Sequence, residues 1–330
     1  MITLTPEEIR QKFPVFKGYK YYLTLVDELD DEVEIYFDTF ATGWIQYVCL
    51  NAVRSGGVAQ KVKFFGGRAY LLCKVGEERV KFGPSDYEAG SMSIERVQLQ
   101  GDEVHTCWRA LSGAALGPTV MFSQAVGVKM VKLPFDYEEK IKKGGSIDLD
   151  TILITDRLSK LTLALEDTDL ETEGATWALG YRIAQEIEKN YAALLLDQII
   201  VQLNPKVNEK TTNCASSSII LAVKPDTIKE IINFAVERSK ELSSSQNAHL
   251  VIWQRLKVPE KLREYGFRAK KEIISLEEAY KLADELEIEH YAVKGERGLI
   301  GALAAIGLSG EGVEAAALFE DEALKKTIVK

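Results

Sequence analysis

Cysteine and histidine are scarce in this chain. It has four cysteines and three histidines in 330 residues. Cys49, Cys73, Cys107 and Cys214 are dispersed, with no Cys-x-x-Cys pair. That dispersal points to free thiols in a reducing cytoplasm rather than to a disulfide framework. His105 and Cys107 lie close enough to offer two metal ligands from one strand, but no second pair at zinc-like spacing follows. His249 and His290 sit in strand-like runs and read as packing residues. Long apolar runs are also missing: nowhere do about twenty uncharged apolar residues follow one another, so no membrane-spanning helix is expected. The opening Thr5-Pro-Glu-Glu8 reads as a capped helix start, not as a signal peptide. Basic runs are short. Lys61, Lys63 and Arg68, like Lys140, Lys142 and Lys143, are mixed with acids or glycines, and net charge is −9. Gripping nucleic acid by its phosphates needs a basic face, so nucleic acid is not the expected partner.

What the chain does have is enough apolar residue, 46%, for two domains. Residues 1–150 read as a β-rich N-terminal domain. Tyr21–Val26 and Val33–Phe37 are strand-like, and Ala69–Val75 with Arg79–Phe82 suggests a hairpin across Gly76. Ile94–Leu99 and Val104–Trp108 suggest another across Gly101. Thr39–Val53 reads as a helix, with Tyr36, Phe40, Trp44 and Tyr47 near helical spacing. Residues 136–150 combine high charge with a glycine pair and mark a candidate boundary; the alternative is a surface helix ended by Gly144. Residues 151–330 carry a β-α-β-β-α-β rhythm. Strand 161–165, helix 174–189, strands 194–203 and 217–223, a helix capped by Asp226 and strand 250–253 follow in turn. The fold class is α+β, with a ferredoxin-like C-terminal region.

Two segments carry chemistry. Leu161, Leu163 and Leu165 alternate with Thr162 and Ala164, as in a half-buried strand. That strand delivers Glu166, Asp167 and Asp169 ahead of a helix. Mg2+ is commonly bound by one or two carboxylates together with substrate phosphates, which makes Asp167 and Asp169 candidate metal ligands. The other reading is an acidic turn that caps the next helix. Near the C-terminus, Lys294, Gly295, Arg297 and Gly298 lead into a small-residue helix that runs to Gly307. Cations at a helix start suit an anion such as a phosphate. The same glycines also let a helix pack closely on a sheet.

The Asp167-Thr-Asp169 strand end, Leu203-Asn-Pro205, Lys210-Thr211 and Arg297-Gly-Leu-Ile-Gly-Ala-Leu-Ala-Ala-Ile-Gly307 together resemble the archaeal agmatidine-tRNA synthases over roughly residues 160–310. Over its whole length the chain is similar to the methanogenesis marker protein 11 family. The first resemblance implies a kinase-like domain that uses ATP and Mg2+ for phosphoryl transfer. Asp167 and Asp169 would then hold the metal, with Glu166 as an outer ligand or a base. Thr176 would contact or accept phosphate. Lys294, Gly295, Arg297, Gly298, Lys210 and Asn204 would hold the nucleotide. The second resemblance implies a role in methanogenesis, either as an enzyme acting on a small molecule, cofactor or protein, or as a non-catalytic assembly factor for a methanogenesis enzyme. The chain departs from the synthases in several places. Glu166 replaces an aspartate, Ala175-Thr176-Trp177 replaces Cys-Thr-Thr, and Thr212 stands where they have arginine. The sequence ends about twenty residues after Gly310, without their oligonucleotide-binding barrel and zinc ribbon. On those grounds tRNA is not expected among the partners.

Overall fold

The computed structural model describes residues 1–14, 18–82, 90–143, 145, 147–211 and 213–322. Gly144 and Thr212, which the sequence reading used, lie outside them. The chain divides into two compact units, Met1–Leu158 and Ser159–Lys330.

The first unit is β-rich. It contains β1 (Ile2–Leu4), α1 (Pro6–Lys12), β2 (Tyr19–Asp27), β3 (Glu32–Thr39), α2 (Thr42–Arg54), β4 (Ala59–Phe65), β5 (Arg68–Lys74) and β6 (Gly76–Glu77). Then come β7 (Met92–Gln100), β8 (Glu103–Leu111), α3 (Ser112–Leu116), β9 (Val128–Leu133) and α4 (Tyr137–Lys143). β10 (Asp148–Glu166) closes it; its residues to Leu158 belong to this unit and the rest to the second. One set of strands runs in the order β1-β9-β10-β8-β7-β6, another β4-β5-β3-β2. Both contribute to one core, where the rings of Tyr22, Phe37, Trp108 and Phe122 pack mostly edge to face.

One sequence expectation fails here. Arg79–Phe82 does not return along β5; Gly76 and Glu77 instead pair with Val97 and Arg96 of β7, and Val80 makes an isolated bridge to Gly56. The helix predicted from Phe40, Trp44 and Tyr47 exists, but its buried face is Ile45, Val48, Cys49 and Ala52. The aromatics face outward.

The second unit runs from the end of β10 through α5 (Thr176–Asn190), β11 (Ala193–Gln202), β12 (Ala215–Val223), α6 (Ile228–Leu242) and β13 (His249–Trp253). It continues with α7 (Glu260–Ala269), α8 (Leu276–Glu285), β14 (His290–Ala292), α9 (Leu299–Gly307) and α10 (Val313–Ala316). The strand order is β11-β12-β10-β13-β14, antiparallel throughout. Its first four strands with α5 and α6 form the ferredoxin-like β-α-β-β-α-β arrangement. Alternation along β10 decides which residue meets which layer. Leu161, Leu163 and Leu165 pack with Ile183, Ile187, Ile231 and Ala235 of α5 and α6. Ala164 faces the opposite layer, built from α7, α8 and α9. Asp226 is not a cap: it lies in a 3-10 turn, Pro225–Thr227, ahead of α6. α7, absent from the sequence reading, follows Pro259.

Candidate functional site

The site grows from the end of β10. Glu166 is its last residue and pairs with His249 of β13. Its side chain turns inward beneath α9, where Gly301 leaves room for it: a Cβ there would stand 2.7 Å from the Glu166 carboxyl carbon. Glu166 Oε2 is buried with no hydrogen-bond partner. Burial, helped by the charge of Asp167, pushes this carboxyl up to about 8, so at neutral pH it is held mainly as the uncharged acid.

The next residue turns the chain. Asp167 has φ 54, a left-handed conformation that aspartate tolerates better than most side chains. Its carboxylate meets Arg297 in a two-point contact, Oδ2 to Nε at 3.0 Å and Oδ1 to Nη2 at 3.2 Å. Arg297 Nη2 also donates to the Glu209 carbonyl at 3.0 Å. One guanidinium therefore ties the end of β10 to the loop between β11 and β12.

Asp169 faces the start of α5. The Thr176 hydroxyl donates to Asp169 Oδ1 at 3.2 Å and accepts from the Thr168 amide at 3.3 Å and the Thr168 hydroxyl at 3.0 Å. Ala175, the residue before the helix, offers no side-chain cap. The first turn of α5 thus presents backbone N–H groups that no side chain satisfies.

These elements enclose a cleft of about 570 Å3, within the range of small-molecule sites. Glu166, Asp167, Asp169, Thr176, Lys210 and Arg297 all line it. Ile200, Leu203, Ile274 and Ile300 give it an apolar wall. Cys214 lines it as well, again in a left-handed conformation at φ 48. Burial pushes that thiol up to about 11, so it is not a thiolate nucleophile. Two strained non-glycine residues beside one cleft are what functional sites often show.

Four sequence-selected residues are not in the lining. The Lys294 ammonium donates to the Ser243 carbonyl. Gly295 and Gly298 are glycine because backbone passes close by: a Cβ would stand 2.1 Å from the Gln246 carbonyl oxygen at Gly295 and 2.8 Å from that of Asn247 at Gly298. Asn204 Oδ1 accepts from the Lys206 amide and shapes a turn. His249, read from sequence as a packing residue, also makes a polar contact: its Nδ1 lies 3.0 Å from the Gly295 carbonyl. A carbonyl can only accept, so that nitrogen carries the proton. Trp177, Glu209 and Cys214 were missed as lining residues; only the apolar residues flanking each polar motif hinted at them. Among the described residues no group of three or more His, Cys, Asp or Glu side chains is placed to hold a metal. Any ion here would lean on Asp167, Asp169 and its ligand's own oxygens.

A ferredoxin-like sheet with acids at one strand end and a cleft beneath a small-residue helix defines the class. Residues 162–225 match the TiaS TCKD domain. The tRNA(Ile2) 2-agmatinylcytidine synthetase TiaS of Thermococcus sibiricus is 34% identical over 151 residues, 45% of this chain and 35% of that enzyme. The corresponding synthetase of Pyrococcus horikoshii is 29% identical over 150 residues, 44% of this chain and 35% of its own. The chain thus spans about a third of the length of these synthetases. A crystal structure of the TiaS–tRNA(Ile2)–ATP complex aligns with 45% of this chain and 36% of that one, at 25% identity and a TM-score of 0.41. The uncharacterized protein MJ0921 of Methanocaldococcus jannaschii is 30% identical over 305 residues, covering 92% of this chain and 98% of that protein. The chain belongs to the family of MJ0921.

The expectation that tRNA is not a partner is corrected by these relatives, which are tRNA(Ile2) 2-agmatinylcytidine synthetases. Net charge misled because it sums the whole chain, whereas binding depends on local surface.

Proposed function

We propose that the second unit binds ATP with Mg2+ in this cleft and transfers a phosphoryl group. One observation carries the reading: Arg297, Lys210, the open start of α5 and two carboxylates line a single cleft, and all of these but Arg297 fall within residues 162–225, which match the TiaS TCKD domain. Phosphoryl transfer is mainly positioning and charge neutralisation. Arg297 and Lys210 would neutralise phosphate oxygens, and the first N–H groups of α5 would orient them. Asp167 and Asp169 suit Mg2+, which takes one or two carboxylates and fills its remaining positions with water and phosphate. Such an ion would supply charge neutralisation. The Ile200, Leu203 and Ile300 wall would exclude water from one side. Glu166, kept neutral by burial, would hold a proton rather than a metal.

The acceptor is a small molecule, a cofactor, a protein or RNA. The likeness to methanogenesis marker protein 11 supports a cytoplasmic role in methanogenesis. The first unit, Met1–Leu158, would then present the acceptor or a partner enzyme.

A second reading is a non-catalytic assembly factor. The Asp167–Arg297 contact favours it, because the ligand-binding charges already neutralise each other. Calorimetric titration with ATP and Mg2+, followed by incubation with γ-labelled ATP, separates the two. Binding and label transfer or release are expected. Absence of any ATP binding would sink the catalytic reading and leave the assembly one.

A further inference from the structure

We propose that the outward face of α2 is a self-association surface through which two copies of this chain pair. The proposal is independent of the cleft. α2 is apolar on both sides. Ile45, Val48, Cys49 and Ala52 point into the core of the first unit, and that face alone is enough to dock the helix. Phe40, just before it, and Trp44, Tyr47 and Leu50 on it are 74%, 50%, 60% and 48% exposed. Steps of three residues put Trp44, Tyr47 and Leu50 on one stripe of the helix, with Phe40 exposed just ahead of it. The exposed residues between them, Thr42, Gly43 and Gln46, carry no charge. In a chain that is 28% charged, no charged residue occurs between Asp38 and Arg54. A helix face meant for water ordinarily carries charges; this one does not.

Three arguments select a second copy as the occupant. The stripe is symmetric about Tyr47, with Trp44 three residues before it and Leu50 three after. Two α2 helices crossing antiparallel at Tyr47 would place Trp44 of each on Leu50 of the other, the reciprocity that a two-fold interface requires. Charge is the second argument. Two copies of net charge −9 repel, so they approach best through neutral ground. Area is the third. A fully covered aromatic side chain buries about 150–250 Å2, so at these exposures the four residues offer on the order of 400–500 Å2. Two copies then bury about 1,000 Å2, the lower bound for a specific interface. RNA fits less well, since it would need cations among the aromatics. Lys20 stands over the Phe40 ring at 4.5 Å but is paired with Asp38 at 3.6 Å.

Sedimentation equilibrium of the full chain tests this. The expected result is twice the chain mass at micromolar concentration, falling to the single mass in Tyr47→Glu with an unchanged circular dichroism spectrum. Tyr47→Cys, in a Cys214→Ser background, should oxidise to a disulfide-linked pair, because residues on a two-fold axis meet their own copies. That variant decides the matter even where Tyr47→Glu misfolds. A monomeric parent chain overturns the proposal, as does a dimer that survives Tyr47→Glu or that yields no cross-link in the Tyr47→Cys variant. A monomer whose fluorescence is quenched by RNA would reassign the face to nucleic acid.

Discussion

Arg297 grips Asp167 at two points, Nε to Oδ2 at 3.0 Å and Nη2 to Oδ1 at 3.2 Å, joining the mouth of α9 to the end of β10. In the same geometry it holds the Glu209 carbonyl. A phosphate entering the cleft would have to draw the guanidinium away from at least one of these acceptors. Arg297→Ala should therefore weaken ATP binding about tenfold or more, since a hydrogen bond to a charged group contributes roughly 1.5–3 kcal/mol. Arg297→Lys should rescue little, because an ammonium lacks the planar fork. Calorimetry on the three proteins reads this. If Arg297→Ala binds ATP more tightly, the arginine is a plug rather than a phosphate ligand.

Gly301 and Glu166 make a second testable pair. An alanine methyl at 301 would sit 2.7 Å from the Glu166 side-chain carbons, and one oxygen of that carboxyl is already buried without a hydrogen-bond partner. Gly301→Ala gains up to about 1 kcal/mol of helix propensity, yet crowding of this kind costs typically about 1–3 kcal/mol. Net destabilisation is expected in urea. In a Glu166→Ala background the same substitution should be neutral or stabilising, a coupling of at least about 1 kcal/mol. Additive effects would mean that the two positions do not touch.

The sequence made some of this legible and hid the rest for physical reasons. Strand 161–165 could be read because one face of β10 meets a uniformly apolar helix layer, which imposes strict alternation. Asp167 and Arg297 stood out as opposite charges beside secondary-structure ends. Gly295 and Gly298 misled, because a glycine where a carbonyl passes reads the same as one where a phosphate passes. Lys294 misled similarly: a lysine that donates to a carbonyl looks, in one dimension, like a lysine free for ligand. On α2 the periodicity was real, but both faces are apolar, so period alone could not choose the buried one. The mistaken hairpin at Gly76 failed because strand partners are chosen across the sheet, and Gly76 and Glu77 pair with β7, which is more distant in sequence.

His249 sets a pH dependence. It is fully buried, its Nδ1–H donates to the Gly295 carbonyl, and its Nε2 lies 3.1 Å from His290 Nδ1. Burial lowers its pKa to about 4, the Gly295 bond opposes that, and His290 adds to the lowering. The folded chain therefore holds the proton less tightly than the unfolded chain does. Its neutral form stabilises the fold fully above about pH 6.5, and that contribution is lost as pH falls toward 4. Over that window the loss should approach about 3 kcal/mol, at roughly 1.4 kcal/mol per pKa unit. Urea unfolding between pH 7 and pH 5 should show a steeper decline in the parent than in His249→Asn, which keeps a donor but does not titrate. Equal slopes would rule His249 out as the cause.

Thr176 is already fully engaged. Its hydroxyl gives its proton to Asp169 and accepts two bonds from Thr168, which uses its donor and both lone pairs. A hydroxyl so committed is poorly placed to attack a phosphoryl group; its work is to fix the strand-end turn against the first turn of α5. Thr176→Val, nearly the same shape without the hydroxyl, should destabilise by about 1–3 kcal/mol because it orphans the Thr168 amide and exposes Asp169 to an apolar neighbour. Thr176→Ser should restore most of that loss. Intact-mass measurement after incubation with ATP and Mg2+ should find no phosphoryl adduct on this residue. An adduct present in the parent and lost in Thr176→Val would make the threonine an acceptor and reverse this assignment.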